Sequence, residues 1–160
     1  MQFFLKKNKR IIVIFITLIL SISCIYAAAK KASSVSTKNP SNADSVKLLA
    51  RLINGEARGE PYLGQVAVGA VVMNRVKDSK FPNTISGVIY QKGQFSCVKD
   101  GNFDKPIKEG STVYKAAEEA LNGADPSNGA LYFYNPKTAK SDWLFTRPTV
   151  KTIGNHRFAK

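Results

Sequence analysis

The strongest candidate for a catalytic side chain is Glu56, which stands in the run Ile53-Asn-Gly-Glu-Ala-Arg-Gly-Glu-Pro-Tyr62. Glu56 ends an apolar helical pattern, and Gly55 and Gly59 would let a ligand approach the backbone closely. Apolar walls disfavour the charged form of a carboxylic acid, and a protonated acid is what glycosidic cleavage requires. The alternative is a solvated glutamate, although the C-terminal end of a helix is unfavourable for a carboxylate.

A second acid, Glu60, follows four residues later and invites pairing with Glu56. The glycines and Pro61 make a continuous helix through both acids improbable, so the spacing of helical neighbours does not apply. Glu60 is therefore interpreted either as a wall of the site or as a first-turn acid of the next helix. A two-carboxylate hydrolysis would have to draw its second acid from Glu60 or Asp142, and both are weak candidates.

Aromatic and polar side chains form further clusters that suit a sugar surface. Alternation along residues 131–136 predicts a strand with Tyr132 and Tyr134 on one face and Phe133 on the other. Tyrosine and tryptophan combine apolar area with hydrogen-bonding groups, and packing in the core is the alternative for each of them. The candidate substrate-binding residues are Glu60, Gln94, Phe95, Ser96, Tyr132, Tyr134, Asn135 and Trp143.

The chain is poor in the residues that metal and nucleophile chemistry needs. It contains one histidine, His156, and two cysteines, Cys24 and Cys97. These cannot supply the three or four protein ligands of a usual zinc site, so we predict no metal and no cofactor and disfavour an amidase or metallopeptidase. We interpret Cys97 as a small buried apolar residue and His156 as a hydrogen-bonded structural residue.

The elements that must position these residues follow from periodicity and capping signals. Helices are predicted over 45–56, with Asp44 or Ser45 as N-cap, over 61 or 62 to 76, and over 112–122, capped by Ser111. A short helix follows Thr84, strands are predicted over 130–134 and 149–153, and 94–98 is β-like. The second helix is apolar on all sides and should be buried. This order predicts an α+β fold with a helical core and a small antiparallel sheet.

The N-terminal segment has the parts of an export signal. Residues 1–10 carry four basic residues and no acid, residues 11–29 are uncharged, and three alanines at 27–29 supply a cleavage site. We predict that 1–29 is a signal peptide, with an N-terminal membrane anchor as the alternative and a lipid on Cys24 as a minor option. Residues 30–43 are then a linker, and 44–160 form the catalytic domain outside the cytoplasm.

Several blocks of the chain closely resemble the SleB/CwlJ-type cell-wall hydrolases, best known as spore cortex-lytic enzymes. The blocks are 53–62, 64–75, 81–90, 94–96, 130–136, Trp143 and 151–158. Together they span nearly all of residues 45–160. The resemblance implies a compact lysozyme-like α+β domain, peptidoglycan as substrate, and Glu56 as the acid, since it is the first glutamate of N-G-E-A-R-G-E.

The resemblance also implies a lytic transglycosylase mechanism, which needs one carboxylate and consumes no water. Glu56 would protonate the oxygen that leaves a muramic acid residue and then act as base for that sugar's own 6-hydroxyl. The alternatives are a hydrolytic glucosaminidase or muramidase and a non-catalytic wall-binding protein. We expect a monomer in the cell wall or spore cortex, either secreted or attached to the membrane by its N-terminus.

The charge balance agrees with an anionic wall polymer as the partner. The chain has 24 Lys+Arg and 11 Asp+Glu residues, a formal net charge of +13. Four of the basic residues belong to the leader, so 20 basic against 11 acidic residues leave +9 on the remainder. A nucleic-acid partner would call for clustered basic residues. The basic residues here are spread along the chain, and we predict no nucleic-acid partner.

Overall fold

The computed structural model describes residues 41–160, so the predicted leader and all but the end of the predicted linker lie outside the described residues. The helices are α1 (Asn42–Ala57), α2 (Tyr62–Lys77), α3 (Ile85–Tyr90), α4 (Ser96–Asp100), α5 (Val113–Leu121) and α6 (Asp142–Phe145), with a 3₁₀ helix over Asn102–Asp104. The strands are β1 (Tyr132–Tyr134), β2 (Thr149–Ile153) and β3 (His156–Ala159). None of these helices combines the length and the apolar character needed to cross a membrane.

Helices α1, α2 and α5 enclose the hydrophobic core. Ten of the 16 residues of α2 are buried, which confirms the predicted buried helix. Small residues let the helices approach closely: a Cβ added at Gly69 of α2 would lie 2.8 Å from the Cβ of Ala120 in α5. Burying apolar area contributes roughly 25 cal/mol per Å², so this three-helix contact stabilises the domain.

Helix α1 begins three residues earlier than the sequence predicts and ends one residue later. The N-cap is Ser41, not Asp44 or Ser45, so the predicted cap is wrong. The hydroxyl of Ser41 accepts a hydrogen bond from the backbone N–H of Asp44 at 3.2 Å, and the Asp44 carboxylate accepts one from the Ser41 N–H at 3.3 Å. Such a capping box satisfies two otherwise free donors. The helix ends at Ala57, which leaves Glu56 in its last turn.

The predicted β-like segment over 94–98 is wrong, because the chain forms the one-turn helix α4 there. Phe95 is the extended N-cap residue, and Gly101 ends the helix with a left-handed φ of 78°. Phenylalanine, cysteine and valine favour strands locally. The tertiary contacts of Cys97, described below, override this preference.

The other predicted helices are confirmed to within one residue at each end. The hydroxyl of Thr84 accepts a hydrogen bond from the Gly87 N–H at 3.0 Å, as expected for the cap of α3. Helix α5 starts one residue later than predicted, and its N-cap is Thr112, so the predicted cap Ser111 is wrong. Gly123 stands just beyond its end with a φ of 98°, the conformation that glycine allows at such a position.

The sheet has three antiparallel strands in the order β1-β3-β2. Phe133 of β1 pairs with Phe158 of β3, and Ile153 of β2 pairs with His156 of β3 across a two-residue turn. A bulge interrupts β2 between Thr149 and Lys151. The strand β3 was not predicted from the sequence. With a helical core and this small antiparallel sheet, the predicted α+β fold is confirmed.

Candidate active site

The carboxylate of Glu56 lies in the last turn of α1, half-buried, against the first turn of α4. Its Oε1 atom accepts a hydrogen bond from the backbone N–H of Cys97 at 3.0 Å, and the hydroxyl of Ser96 donates to the same oxygen at 3.5 Å. Both hydrogen bonds that Glu56 forms with residues 41–160 end on Oε1. The carboxylate is therefore oriented by one oxygen, and Oε2 is available to carry a proton.

Gly55 allows α4 to come this close to α1. A Cβ added at Gly55 would lie 2.7 Å from the Cβ of Cys97 and 2.9 Å from its Sγ. Real Cβ atoms do not approach other atoms so closely, so the position requires glycine because of space and not because of its backbone angles. The contact explains why glycine precedes Glu56 in the sequence.

Cys97 is 1% exposed, which confirms the prediction of a buried small residue. Burial raises the pKa of its thiol far above the usual range, and the Glu56 carboxylate raises it further. A thiol in that environment stays protonated and is a poor nucleophile. Cys97 thus serves the site through its backbone N–H.

Glu60 lies between α1 and α2 and holds the turn between β2 and β3. Its Oε2 accepts a hydrogen bond from the Asn155 N–H at 2.8 Å, and its Oε1 accepts one from the Asn155 side-chain amide at 3.1 Å. Gly154, with a φ of 56°, lets the turn pass close to Glu60 and Pro61. Both oxygens of Glu60 are therefore occupied, and its contact with a substrate stays a prediction.

His156 of β3 is 7% exposed and lies among aromatic rings. Its ring centroid is 5.2 Å from that of Phe133 and 6.3 Å from that of Phe158. Burial lowers the pKa of His156, and the charges of Glu60 and Glu56 oppose that shift. The predicted structural role agrees with this burial. The predicted hydrogen bond is wrong for Nδ1, which has no partner among the described residues.

A groove of about 380 Å³ holds three of the predicted substrate-binding residues. Gln94, Tyr132 and Trp143 all line it, and Trp143 is 48% exposed. The rings of Tyr132 and Trp143 meet edge to face, with their centroids 5.0 Å apart. Such partly exposed aromatic surfaces with polar neighbours are suited to binding a ligand.

The loop before α4 connects this groove with the carboxylate. Gln94 lines the groove, and Ser96 donates to Glu56. Two residues of extended chain span at most about 7 Å. The loop over residues 94–96 therefore contributes to both the groove and the hydrogen bonds of Glu56.

Three other predicted site residues, Phe95, Tyr134 and Asn135, do not line this groove. Phe95 and Tyr134 are each 5% exposed; Phe95 packs on Phe133, and Tyr134 packs on Phe145. The Asn135 side chain accepts a hydrogen bond from the Lys137 N–H at 2.9 Å and shapes the turn after β1. Contact of these residues with a substrate stays a prediction.

Sequence reasoning missed Arg75 and Arg147, two arginines at this groove. Arg75 is 4% exposed and lines the groove from α2. Arg147 lies over the Trp143 ring, with its Cζ atom 4.2 Å from the centroid. The one available signal in the sequence was the position of Arg75 near the end of an apolar helix. Arginine is almost never fully buried unless it is paired.

Within residues 41–160, no three His, Cys, Asp or Glu side chains lie close enough together to hold a metal ion. A wider concavity of about 640 Å³ lies between α1 and α5 and includes none of the predicted site residues. Neither observation adds a residue to the candidate site of Glu56 and the aromatic groove.

An acid at the end of an amphipathic helix, near an aromatic groove in an α+β domain, is compatible with a polysaccharide-cleaving enzyme of the lysozyme type. The family described as Cell Wall Hydrolase matches residues 59–159, and the chain belongs to that family. The matched range begins three residues after Glu56.

Similar proteins carry names that agree with this membership. The spore cortex-lytic enzyme of Bacillus cereus is 51% identical over 115 residues, which are 72% of this chain and 44% of that protein. Cell wall hydrolase CwlJ of Bacillus subtilis is 31% identical over 119 residues, covering 71% of this chain and 82% of that protein. The chain thus spans less than half the length of the spore cortex-lytic enzyme of Bacillus cereus.

Solved structures of catalytic domains have the same fold. The catalytic domain of the Bacillus cereus SleB protein is 51% identical with a TM-score of 0.66, covering 72% of this chain and 89% of that one. The catalytic domain of the germination-specific lytic transglycosylase SleB from Bacillus anthracis is 50% identical with a TM-score of 0.67, covering 72% and 93%. The predicted family and the lysozyme-like α+β fold are confirmed.

Proposed function

We propose that this chain cleaves the glycan strands of peptidoglycan by lytic transglycosylation, with Glu56 as both acid and base. The observation that carries the proposal is the Glu56 carboxylate, which accepts hydrogen bonds from residues 41–160 only at Oε1 and lies against the loop that lines the aromatic groove. The names of the similar proteins, spore cortex-lytic enzyme and lytic transglycosylase, support it.

In the first step Glu56 acts as an acid. The proton on Oε2 passes to the glycosidic oxygen as the bond from C1 of the muramic acid residue to that oxygen breaks. The leaving sugar takes the proton as a new hydroxyl group. The Cys97 N–H and the Ser96 hydroxyl hold Oε1 and keep the carboxylate aimed at the bond.

In the second step the same carboxylate acts as a base. Glu56 accepts the proton of the sugar's own 6-hydroxyl while that oxygen bonds to C1, which closes a 1,6-anhydro ring. Glu56 is then protonated again and ready for the next bond. The two steps need neither water nor a second carboxylate.

The environment of Glu60 favours this route over hydrolysis. Retaining hydrolysis needs a second carboxylate about 5–5.5 Å from the acid, and inverting hydrolysis needs one about 6.5–9.5 Å away. Both Glu60 oxygens accept hydrogen bonds from Asn155. These hydrogen bonds give Glu60 a structural role in holding the turn between β2 and β3, and the lytic route requires no second role from it.

The groove supplies the binding surface for the strand. Trp143 and Tyr132 offer aromatic faces, and Gln94 offers an exposed amide. Stacking on an exposed ring should add to binding without altering the chemical step. We therefore expect loss of the Trp143 ring to raise KM more than it lowers kcat.

The location of the protein is part of the proposal. The leader predicted over residues 1–29 would export the domain, as a cleaved signal or as an anchor. The spore cortex is the favoured layer because the similar proteins are named for it. The N-terminus of the mature protein, read by mass spectrometry from the producing cells, distinguishes cleavage from anchoring.

The products of digestion test the proposed reaction. Purified peptidoglycan is digested with the full chain in water labelled with ¹⁸O, and the fragments are analysed by mass spectrometry. We expect 1,6-anhydro ends without label. Labelled reducing ends would contradict the lytic route and support hydrolysis. Binding without any fragments, from vegetative wall or from cortex, would contradict enzymatic function and support a wall-binding protein.

A further inference from the structure

Arg75 and Arg147 bring two guanidinium groups close to the Tyr132 ring. The Cζ atoms of the two arginines lie 5.5 and 5.1 Å from the centroid of that ring. Arg147 also lies over Trp143, 4.2 Å from its centroid. We call these four side chains the arginine–aromatic cluster. Three of them, all but Arg147, line the groove beside the Glu56 site.

Arg75 is the deeper of the two arginines. Its Nε donates a hydrogen bond to the Leu131 carbonyl oxygen at 2.7 Å, while Nη1 is buried without a partner among residues 41–160. The rings of Phe81 and Phe95 lie 5.0 and 5.1 Å from its Cζ atom. Burial lowers the pKa of Arg75 to about 10, so the group remains charged at neutral pH.

Among residues 41–160, neither arginine forms a salt bridge with an acid. No carboxylate oxygen of residues 41–160 lies within 4 Å of either group, and the Nε of Arg147 is also buried without a partner. Asp142, the acid next to Trp143, is exposed and forms no such pair within the described residues. Buried charges are normally paired, and aromatic faces compensate them only in part.

We propose that the arginine–aromatic cluster binds a carboxylate that the wall polymer carries, and so positions the strand in the groove. This inference rests on the proposed function. A planar guanidinium matches the two oxygens of a carboxylate. The peptide stems of peptidoglycan bear free carboxylates, and the sugar faces between them are neutral. The cluster would therefore recognise strands that carry these stems.

Binding to chemically altered wall material tests the carboxylate site. The full chain is sedimented with insoluble peptidoglycan, either native or with its carboxylates converted to amides by carbodiimide and ammonia. We expect native material to bind roughly tenfold more tightly than amidated material, as for a hydrogen bond between charged groups. Arg147→Gln should remove most of this difference, and Arg147→Lys should retain part of it.

Arg157→Gln is the matched control, because it removes the same charge from an exposed arginine of β3 outside the groove. This variant should keep the preference for native material. Arg75→Lys is the second test, with its folding checked by circular dichroism, since it keeps the charge but loses the planar fork. It should weaken the preference without abolishing the fold.

Two results would overturn the carboxylate site. One is equal binding of the unaltered chain to native and amidated material. The other is an Arg147→Gln variant that loses affinity equally for both. Because the assay measures binding, the proposed function can fail separately: a chain that prefers carboxylates but releases no fragments would reject the enzyme and keep the site.

Discussion

The Glu56 carboxylate accepts a hydrogen bond from the Cys97 backbone N–H at 3.0 Å, which ties the last turn of α1 to the first turn of α4. Helix α4 is only five residues long. A helix so short is not stable alone, so its position depends on packing against α1. The orientation of the proposed acid is therefore a product of tertiary packing.

The first prediction concerns Gly55, which allows this packing. Gly55→Ala places a methyl group 2.7 Å from the Cβ of Cys97 and should push α4 away from Glu56. We expect a loss of about 1–3 kcal/mol in the free energy of unfolding, together with a fall in kcat. Denaturant titration and peptidoglycan turbidity assays measure the two effects.

Gly59→Ala is the control for this change, since a Cβ at Gly59 meets nothing within 4 Å. It should leave the free energy of unfolding close to that of the unaltered chain. If Gly55→Ala behaved like Gly59→Ala, the close approach of α4 would not control the site.

The second prediction concerns Gly154 in the turn that Glu60 holds. Gly154→Ala must place a side chain at a φ of 56° and within 2.7 Å of the Pro61 ring. The left-handed backbone costs about 1–2 kcal/mol, and the clash costs about 1–3 kcal/mol. Unfolding of the variant in denaturant should show the sum of both costs.

Gly110→Ala separates the two costs, because Gly110 has a φ of 73° and open space around it. Gly110→Ala should lower the free energy of unfolding by the cost of the left-handed backbone alone. Equal destabilisation by the two variants would mean that the contact between the turn and Pro61 adds nothing.

The third prediction concerns the pH dependence of stability through His156. Burial lowers the pKa of His156 in the folded protein below the value of about 6.5 expected in the unfolded chain. The unfolded state therefore binds the proton more readily. The stability that His156 contributes is present above about pH 6.5 and is lost as the pH falls below it.

Free energies of unfolding at pH 7.5 and 5.5 measure this loss. His156 is the one histidine of the sequence. His156→Gln should therefore reduce the difference between the free energies of unfolding at the two pH values, whatever its effect on stability at pH 7.5. An unchanged difference between the two pH values would show that other groups cause it.

Local patterns were sufficient to predict much of the fold. The apolar residues of α1, α2 and α5 predicted where these helices lie in the sequence, and Gly123 predicted the end of α5. The segment 94–98 was wrong because α4 forms through contacts with residues about 40 positions away in sequence. The strand β3 was missed because its four residues are ordered by pairing with strands on both sides.

The residues of the candidate site also fall into two groups, those that local sequence predicted and those that it did not. Glu56 was found because an acid between glycines at a helix end is unusual in one short run of sequence. Gln94, Tyr132 and Trp143 were also named from local composition, and the groove brings them together. The arginines were missed because Arg75 and Arg147 are 72 positions apart and meet only across the Tyr132 ring.

The activity of Glu56→Gln tests the central claim most directly. The variant keeps the size of the side chain and an oxygen for the Cys97 N–H, so it should fold and bind peptidoglycan. It cannot donate or accept the proton, so release of glycan fragments should fall by at least about 100-fold. Glu109→Gln, which changes an exposed acid elsewhere, should release fragments at the original rate. A folded Glu56→Gln variant with undiminished fragment release would contradict the account.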